Sequence, residues 1–197
     1  SDFVNVCEST IATLADEMEL EPTLHARALT ALARGETMMG RYGKAFEWME
    51  RALPLAENGN TQWLEAYLSI RVGALAPFSS GRTNEELTAL CFAKARSLID
   101  VLDDGHLEAL LHVELASYAM WNAPEEAESL LMQGLSLARQ LGDDVNEAYL
   151  LGHLCASHFA SGNVEEAKRF GMESLRASEL QGDERWAART RALLTML

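Results

Sequence analysis

The sequence predicts an all-α chain, a right-handed α-solenoid of antiparallel helix pairs. Three observations predict it. First, the chain copies itself at steps of 40 residues: Leu102-Asp103-Asp104 returns as Gly142-Asp143-Asp144 and again as Gly182-Asp183-Glu184. Ala116-Ser117 likewise returns as Ala156-Ser157, and Glu125-Glu126-Ala127 as Glu165-Glu166-Ala167. A repeat of that length is one supersecondary unit that buries its apolar face only by stacking on a neighbour. Second, apolar residues inside each copy recur at steps of three and four, the period of a helix face. Third, β-branched alternation nowhere extends beyond a few residues, so strands are not expected.

Taken in order, Phe3, Cys7, Ile11, Leu14 and Met18 mark one face of a first helix, the second member of a pair whose first member is absent. Pro22 then stands at a helix start. A helix from Pro22 to Met39 follows, with Leu29, Leu32 and Ala33 inward, and Gly40-Arg41-Tyr42-Gly43 makes the turn. The next helix turns Ala45, Phe46, Met49, Ala52 and Leu53 inward, and Pro54 is expected to end or kink it. Thr61 to Ala76 is a third helix, broken early by Pro77 and Ser79-Ser80-Gly81. Asn84 is expected to cap a helix to Leu102. Helices then run from Gly105 to Trp121, Glu125 to Leu141, Asp144 to Ser161 and Asn163 to Gln181, and a last one begins after Asp183. Residues 1–197 thus read as one solenoid domain, a fragment of a larger protein.

Composition bounds the function. The chain is 48% hydrophobic and 23% charged, with a formal net charge of −14. Nucleic-acid binders draw most of their affinity from neutralising phosphates, so direct contact with nucleic acid is not expected, and neither is adsorption to an anionic membrane. No apolar stretch approaches the roughly 18 residues that span a bilayer. The first residues carry no basic signal-peptide region. Cys7, Cys91 and Cys155 are far apart and odd in number, which fits buried thiols in a reducing cytoplasm.

Catalytic and metal chemistry find no support. Gly35 to Gly40 has the glycine spacing of a phosphate loop, but Arg41 follows where lysine is needed, and no strand precedes it. His153, Cys155 and His158 are the only tight cluster of metal-type ligands, and His153 does not converge with the other two on a helix. His106 and His112 have no evident partners. Glu125, Glu126, Glu165 and Glu166 sit at helix N-termini and complement the helix dipole. No enzyme, no cofactor and no metal are expected.

The repeat resembles the tetratricopeptide family. That signature has Leu followed by a small residue, an aromatic three positions on, Gly at the turn and Ala five residues later. Leu154-Cys155, His158, Gly162 and Ala167 fit, with His in the aromatic place; Leu32-Ala33, Gly40 and Ala45 fit too. The stretch from Leu75 to Leu87 lacks the Leu-small pair, and the period is nearer 40 than the family's usual ~34. The Leu137 to Asp143 segment resembles repeats of large bacterial signalling ATPases and LuxR-type activators, where such a solenoid senses an effector or a partner. The resemblance implies a concave groove lined by the first helix of each pair. Carried over, it would present Arg27, Thr30, Arg34 and Thr37, with Arg71 from the neighbouring helix, and Tyr149, Gly152, Ala156 and Phe159 at the other end. The arginines are either solvated and paired with nearby Glu, or they dock a carboxylate, a phosphate or an acidic segment. The lysine and asparagine set of chaperone-tail clamps is missing. The implied function is an interaction or effector-sensing module of a bacterial regulator. The alternatives are a small-molecule or peptide receptor and an architectural oligomerisation module. Trp186, Ala192 and Met196 at one end and Phe3, Val4 and Cys7 at the other are expected to be exposed, and to drive homodimerisation through a terminal helix.

Overall fold

The computed structural model describes residues 21–79 and 84–197. The expected helix Phe3–Met18 lies outside the described residues. Within them are nine α-helices, one 3-10 turn and no strand. They are α1 (Pro22–Met38), α2 (Tyr42–Asn58), α3 (Gln62–Leu75), α4 (Glu85–Leu102), α5 (Gly105–Asn122), α6 (Pro124–Leu141), α7 (Asp144–Ala160), α8 (Val164–Gln181) and α9 (Glu184–Thr195). The helix pairs read from the 40-residue copies are therefore present. Connections of one to three residues fold most helices back on their predecessors. The chain divides into two compact units, the first ending at Asp103 and the second beginning at Asp104.

In the first unit α1 packs on α2, α2 on α3, and α3 on α4. The core holds Leu29, Leu32 and Ala33 of α1, Ala45, Phe46, Met49 and Ala52 of α2, and Leu64, Leu68 and Val72 of α3. Pro54 does not end α2, which runs on to Asn58. Pro54 is exposed, as is Glu50 four residues earlier, so water can reach the carbonyl whose helical partner the proline lacks. Past α3 the chain tightens into a 3-10 turn, Ala76–Phe78, that contains Pro77. Asn84 stands at the N-cap of α4, but its side chain makes no capping hydrogen bond. The start of α4 is held instead by Thr88, whose buried hydroxyl donates to the Gly73 carbonyl of α3 at 3.1 Å. The fully buried Glu36 carboxylate is paired with Arg41 across the α1–α2 turn.

In the second unit α5 to α9 pack in sequence, and α5, α7 and α9 also meet one another in turn. One device recurs at three turns, from the end of α4 onwards. Asp103, Gly142 and Gly182 close α4, α6 and α8 in the left-handed region, with φ of 50°, 65° and 73°. The next residue is an aspartate whose carboxylate accepts the backbone N–H three residues on. Asp104 caps Leu107 at 3.0 Å, Asp143 caps Asn146 at 3.1 Å, and Asp183 caps Trp186 at 2.9 Å. The capping roles recur 39 and then 40 residues apart. The sequence copies had paired Leu102 with Gly142, one place out of register. Aspartate tolerates the left-handed region, so Asp103 does what the glycines do later.

Trp186 is a second correction. Expected at an exposed chain end, it is buried at 6% exposure, and its indole N–H donates to the Ala148 carbonyl at 3.1 Å. One face of α9 seats it on α8. Thr190 is buried, Leu193 and Leu197 join the second core, and Leu194 lies over Gly171.

Close approach of helices is bought with small residues. Ala127 and Ala167 are buried at the matching positions of α6 and α8. At Gly134 of α6 an added Cβ would lie 2.7 Å from the Cβ of His112 on α5 and 3.0 Å from Leu150 on α7. Alanine in mid-helix is worth about 1 kcal/mol over glycine. Here the clash is with an atom fixed to the backbone, which no rotamer change relieves. Gly134→Ala should therefore lose about 1–2 kcal/mol net in chemical denaturation, the overpacking outweighing the propensity. A variant as stable as the parent would show that α5 and α6 do not meet at this point.

Candidate functional site

The arginine stripe read from the sequence lies along one wall of a cavity. Helix α1 contributes Arg27, Thr30, Ala31 and Arg34, and α3 contributes Trp63, Leu64 and Tyr67. The cavity measures about 330 Å³. Steps of three and four place the α1 residues on one helix face. Leu64 is buried and forms the floor. Trp63 and Tyr67 sit one turn apart on α3 with rings nearly parallel, 5.7 Å between centroids and 5° between planes. Trp63 keeps 49% of its surface exposed.

The polar groups of this wall differ in what they can still do. Thr30 donates its hydroxyl proton to the Ala26 carbonyl at 2.7 Å, so only its lone pairs are left for a ligand. Thr37, farther along the stripe, makes the same bond to Ala33 at 2.9 Å and lies outside the cavity lining. Arg27 and Arg34 are exposed, and no other described residue holds either of them in an ion pair. Glu21 at the cap of α1 has its pKa lowered mainly by hydrogen bonds from Thr23, and Arg27 adds a smaller pull. Arg71 is half-buried one turn beyond Tyr67 on α3 and lies outside the lining.

The residues expected at the apolar end lie in the second unit and are less open. Tyr149 donates its hydroxyl to Asp183 at 3.1 Å, and its ring meets Trp186 edge-on at 4.7 Å. Burial, then the Asp183 carboxylate, pushes its phenol pKa up. Gly152 is roofed by the Trp186 ring, which an added Cβ would reach at 2.8 Å. Ala156 is half-buried, and Phe159 is exposed.

One group was not legible in the sequence. His153 of α7 places Nε2 3.2 Å from Ser117 Oγ on α5, and its ring lies 5.5 Å from that of Trp186 on α9. Arg189 covers the other ring of this cluster, its guanidinium 4.7 Å from the Trp186 centroid. The Ser117 proton is committed to the Val113 carbonyl at 2.8 Å, so His153 must be the donor and carry its proton on Nε2. That is the wrong tautomer to activate a serine, which needs a lone pair facing the hydroxyl. Burial, aided by the Arg189 charge, lowers the His153 pKa to about 4, so the ring is neutral at pH 7. The three ligand-type residues of α7 go separate ways: Cys155 is fully buried, His158 stacks on Phe170 at 5.3 Å, and His153 faces Trp186.

His106 does have a partner, against expectation. Its Nδ1 lies 2.8 Å from Asp143 Oδ2, the cap of the next helix pair, 37 residues away. That hydrogen bond raises the His106 pKa. Burial alone would raise the Asp143 pKa, but the His106 bond and the Asn146 amide bring it below the usual carboxylate value.

No protein-family model matches the chain, and no curated protein does. Among solved structures it is similar to a Signal Transduction ATPase with Numerous Domains protein with a tetratricopeptide repeat sensor, from Pyrococcus horikoshii. The TM-score is 0.68 at 15% identity, over 95% of this chain and 29% of that one. This likeness shows the fold: an all-α solenoid of tetratricopeptide type. The chain spans less than a third of that protein's length.

The His153 environment makes acid stability a direct check. Its folded pKa lies below the ordinary 6.5, so the unfolded chain takes up the proton first, and stability is lost as pH falls from about 6.5 towards 4. The loss from this group is at most about 3 kcal/mol. In urea denaturation His153→Gln should lose less stability than the parent between pH 7 and pH 4.5. Equal acid losses in the two proteins would place His153 in water.

Proposed function

We propose that the chain is a non-catalytic module that takes an acidic partner segment on the α1–α3 face of its first unit. One observation carries this reading: Arg27 and Arg34 share the rim of one cavity, and no other described residue pairs with them. In a chain of net charge −14 with 16 basic and 30 acidic residues, several arginines meet carboxylates of the chain itself. Arg139 bridges Glu147 and Glu173, Arg169 bridges Glu166 and Glu173, and Arg191 pairs with Glu179. Two on a cavity rim that do not are positioned for a carboxylate brought from outside.

The tautomer of His153 and the helix-pair architecture support a binding role over a catalytic one. The similar archaeal structure carries its tetratricopeptide repeats as a sensor in a signalling ATPase. By that analogy this module belongs to a cytoplasmic regulator, of signalling-ATPase or LuxR type, and reports an effector or partner to other domains. The net charge suits neither nucleic acid nor an anionic membrane. Among the described residues no helix is long and apolar enough to cross a bilayer. A small-molecule effector is the second reading. A cavity of about 330 Å³ favours it, since that is at the lower end of ligand pockets. Self-association through α9 would have to use Ala192 and Met196, since Trp186 is buried.

The test is charge reversal. Arg27→Glu with Arg34→Glu should weaken binding of a labelled oligo-glutamate peptide by about tenfold or more and leave the melting temperature unchanged, since both side chains are exposed. Added salt should weaken binding to the parent protein. Binding that survives both changes removes the arginines from the site.

A further inference from the structure

We infer that the α1–α3 cavity reads an acidic segment with an aromatic side chain between two carboxylates, so that the ring, and not charge alone, selects the partner. This rests on the acidic-segment reading above. Three features of the cavity carry it.

The first is its shape. Between Arg27 and Arg34 the α1 wall is stripped to the methyl of Ala31, with the backbonded Thr30 beside it. Opposite stand the stacked rings of Trp63 and Tyr67 over the Leu64 floor. The low wall opposite the two rings leaves the cavity open to a third ring. The half-exposed Trp63 offers it an offset or edge-on contact.

The second is electrostatic. The chain as a whole repels an acidic segment. Two exposed arginines in salt attract weakly, and most pairs of that kind contribute little. Stable docking therefore needs a short-range apolar contribution at the same place, and the Trp63 and Tyr67 rings supply it.

The third is spacing. Arg27 and Arg34 are seven residues apart on one helix, about 10 Å along its axis. In an extended segment alternate side chains point to the same side, about 7 Å apart, and the one between them points to the other. Two carboxylates at alternate positions then face α1, and a ring between them faces Trp63 and Tyr67. The remaining few ångströms fall within the reach of two arginine side chains.

Three labelled peptides of equal charge test this by fluorescence anisotropy on the full chain. One carries a Trp between two Glu, one carries the Trp outside the acidic pair, and one has Ala in its place. The first should bind about tenfold tighter than the third, with the second intermediate or as weak as the third. Trp63→Ala should bring the three within about twofold of one another in a protein that keeps its helical circular dichroism, while Trp63→Phe should preserve the order. Equal binding of all three by the parent protein overturns the ring selection and leaves the acidic reading standing. If no acidic peptide binds, both fall. A ring preference that persists in Trp63→Ala moves the ring contact away from this cavity and overturns the assignment.

Discussion

Helices of this chain touch where side chains are missing, and much of the architecture depends on that. Gly134 lets α6 lie against His112, Gly152 admits the indole of Trp186, and Gly171 makes room for Leu194 and Cys155. Ala45, Ala127 and Ala167 do the same at the turn end of the second helices. At each point a methyl or nothing stands where an ordinary residue would hold the axes apart. Close axes bring backbone carbonyls within reach of neighbouring side chains. The Ala148 carbonyl accepts both the Ser174 hydroxyl, at 2.8 Å, and the Trp186 indole. Two helices, α8 and α9, are thereby tied to α7 at one backbone atom.

The turns enforce the order in which those contacts form. A left-handed residue followed by a capping aspartate both stops one helix and starts the next within two residues, and in the second unit this happens at Gly142-Asp143 and Gly182-Asp183. Such a short connection leaves the incoming helix little choice but to run back along its predecessor. Asp143 serves two purposes. It caps α7 through Asn146 and at the same time holds His106 from the preceding pair, so the local stop signal is also a long-range tether.

Charge is distributed by the same logic. Lys94 of α4 reaches Glu57 of α2 and Glu65 of α3, and Arg139 of α6 reaches Glu147 of α7 and Glu173 of α8. These exposed pairs stitch second helices to their neighbours, though each contributes little on its own. On the wall of α1 the arginines lie across from an aromatic pair and in no ion pair with a described residue.

Helix limits, pairing and the arginine stripe could all be read from residue order. They follow from a 3.6-residue period, from glycine and aspartate at turns, and from apolar spacing within single helices, all of which act over a few neighbours. The partners across repeats could not. Trp63 and Tyr67 opposite Arg27 and Arg34, His106 on Asp143, Ser117 on His153 and Trp186 over Gly152 join residues roughly 30 to 40 positions apart. Which of them meet depends on the rotation of one helix against the next, and a one-residue shift such as that at Asp103 changes it by about 100°. The same rotation buried Trp186, whose apolar ring in a terminal helix looks exposed from order alone. Residue order thus set the elements and their stacking, and the packing of helix on helix chose which faces became core and which became a site.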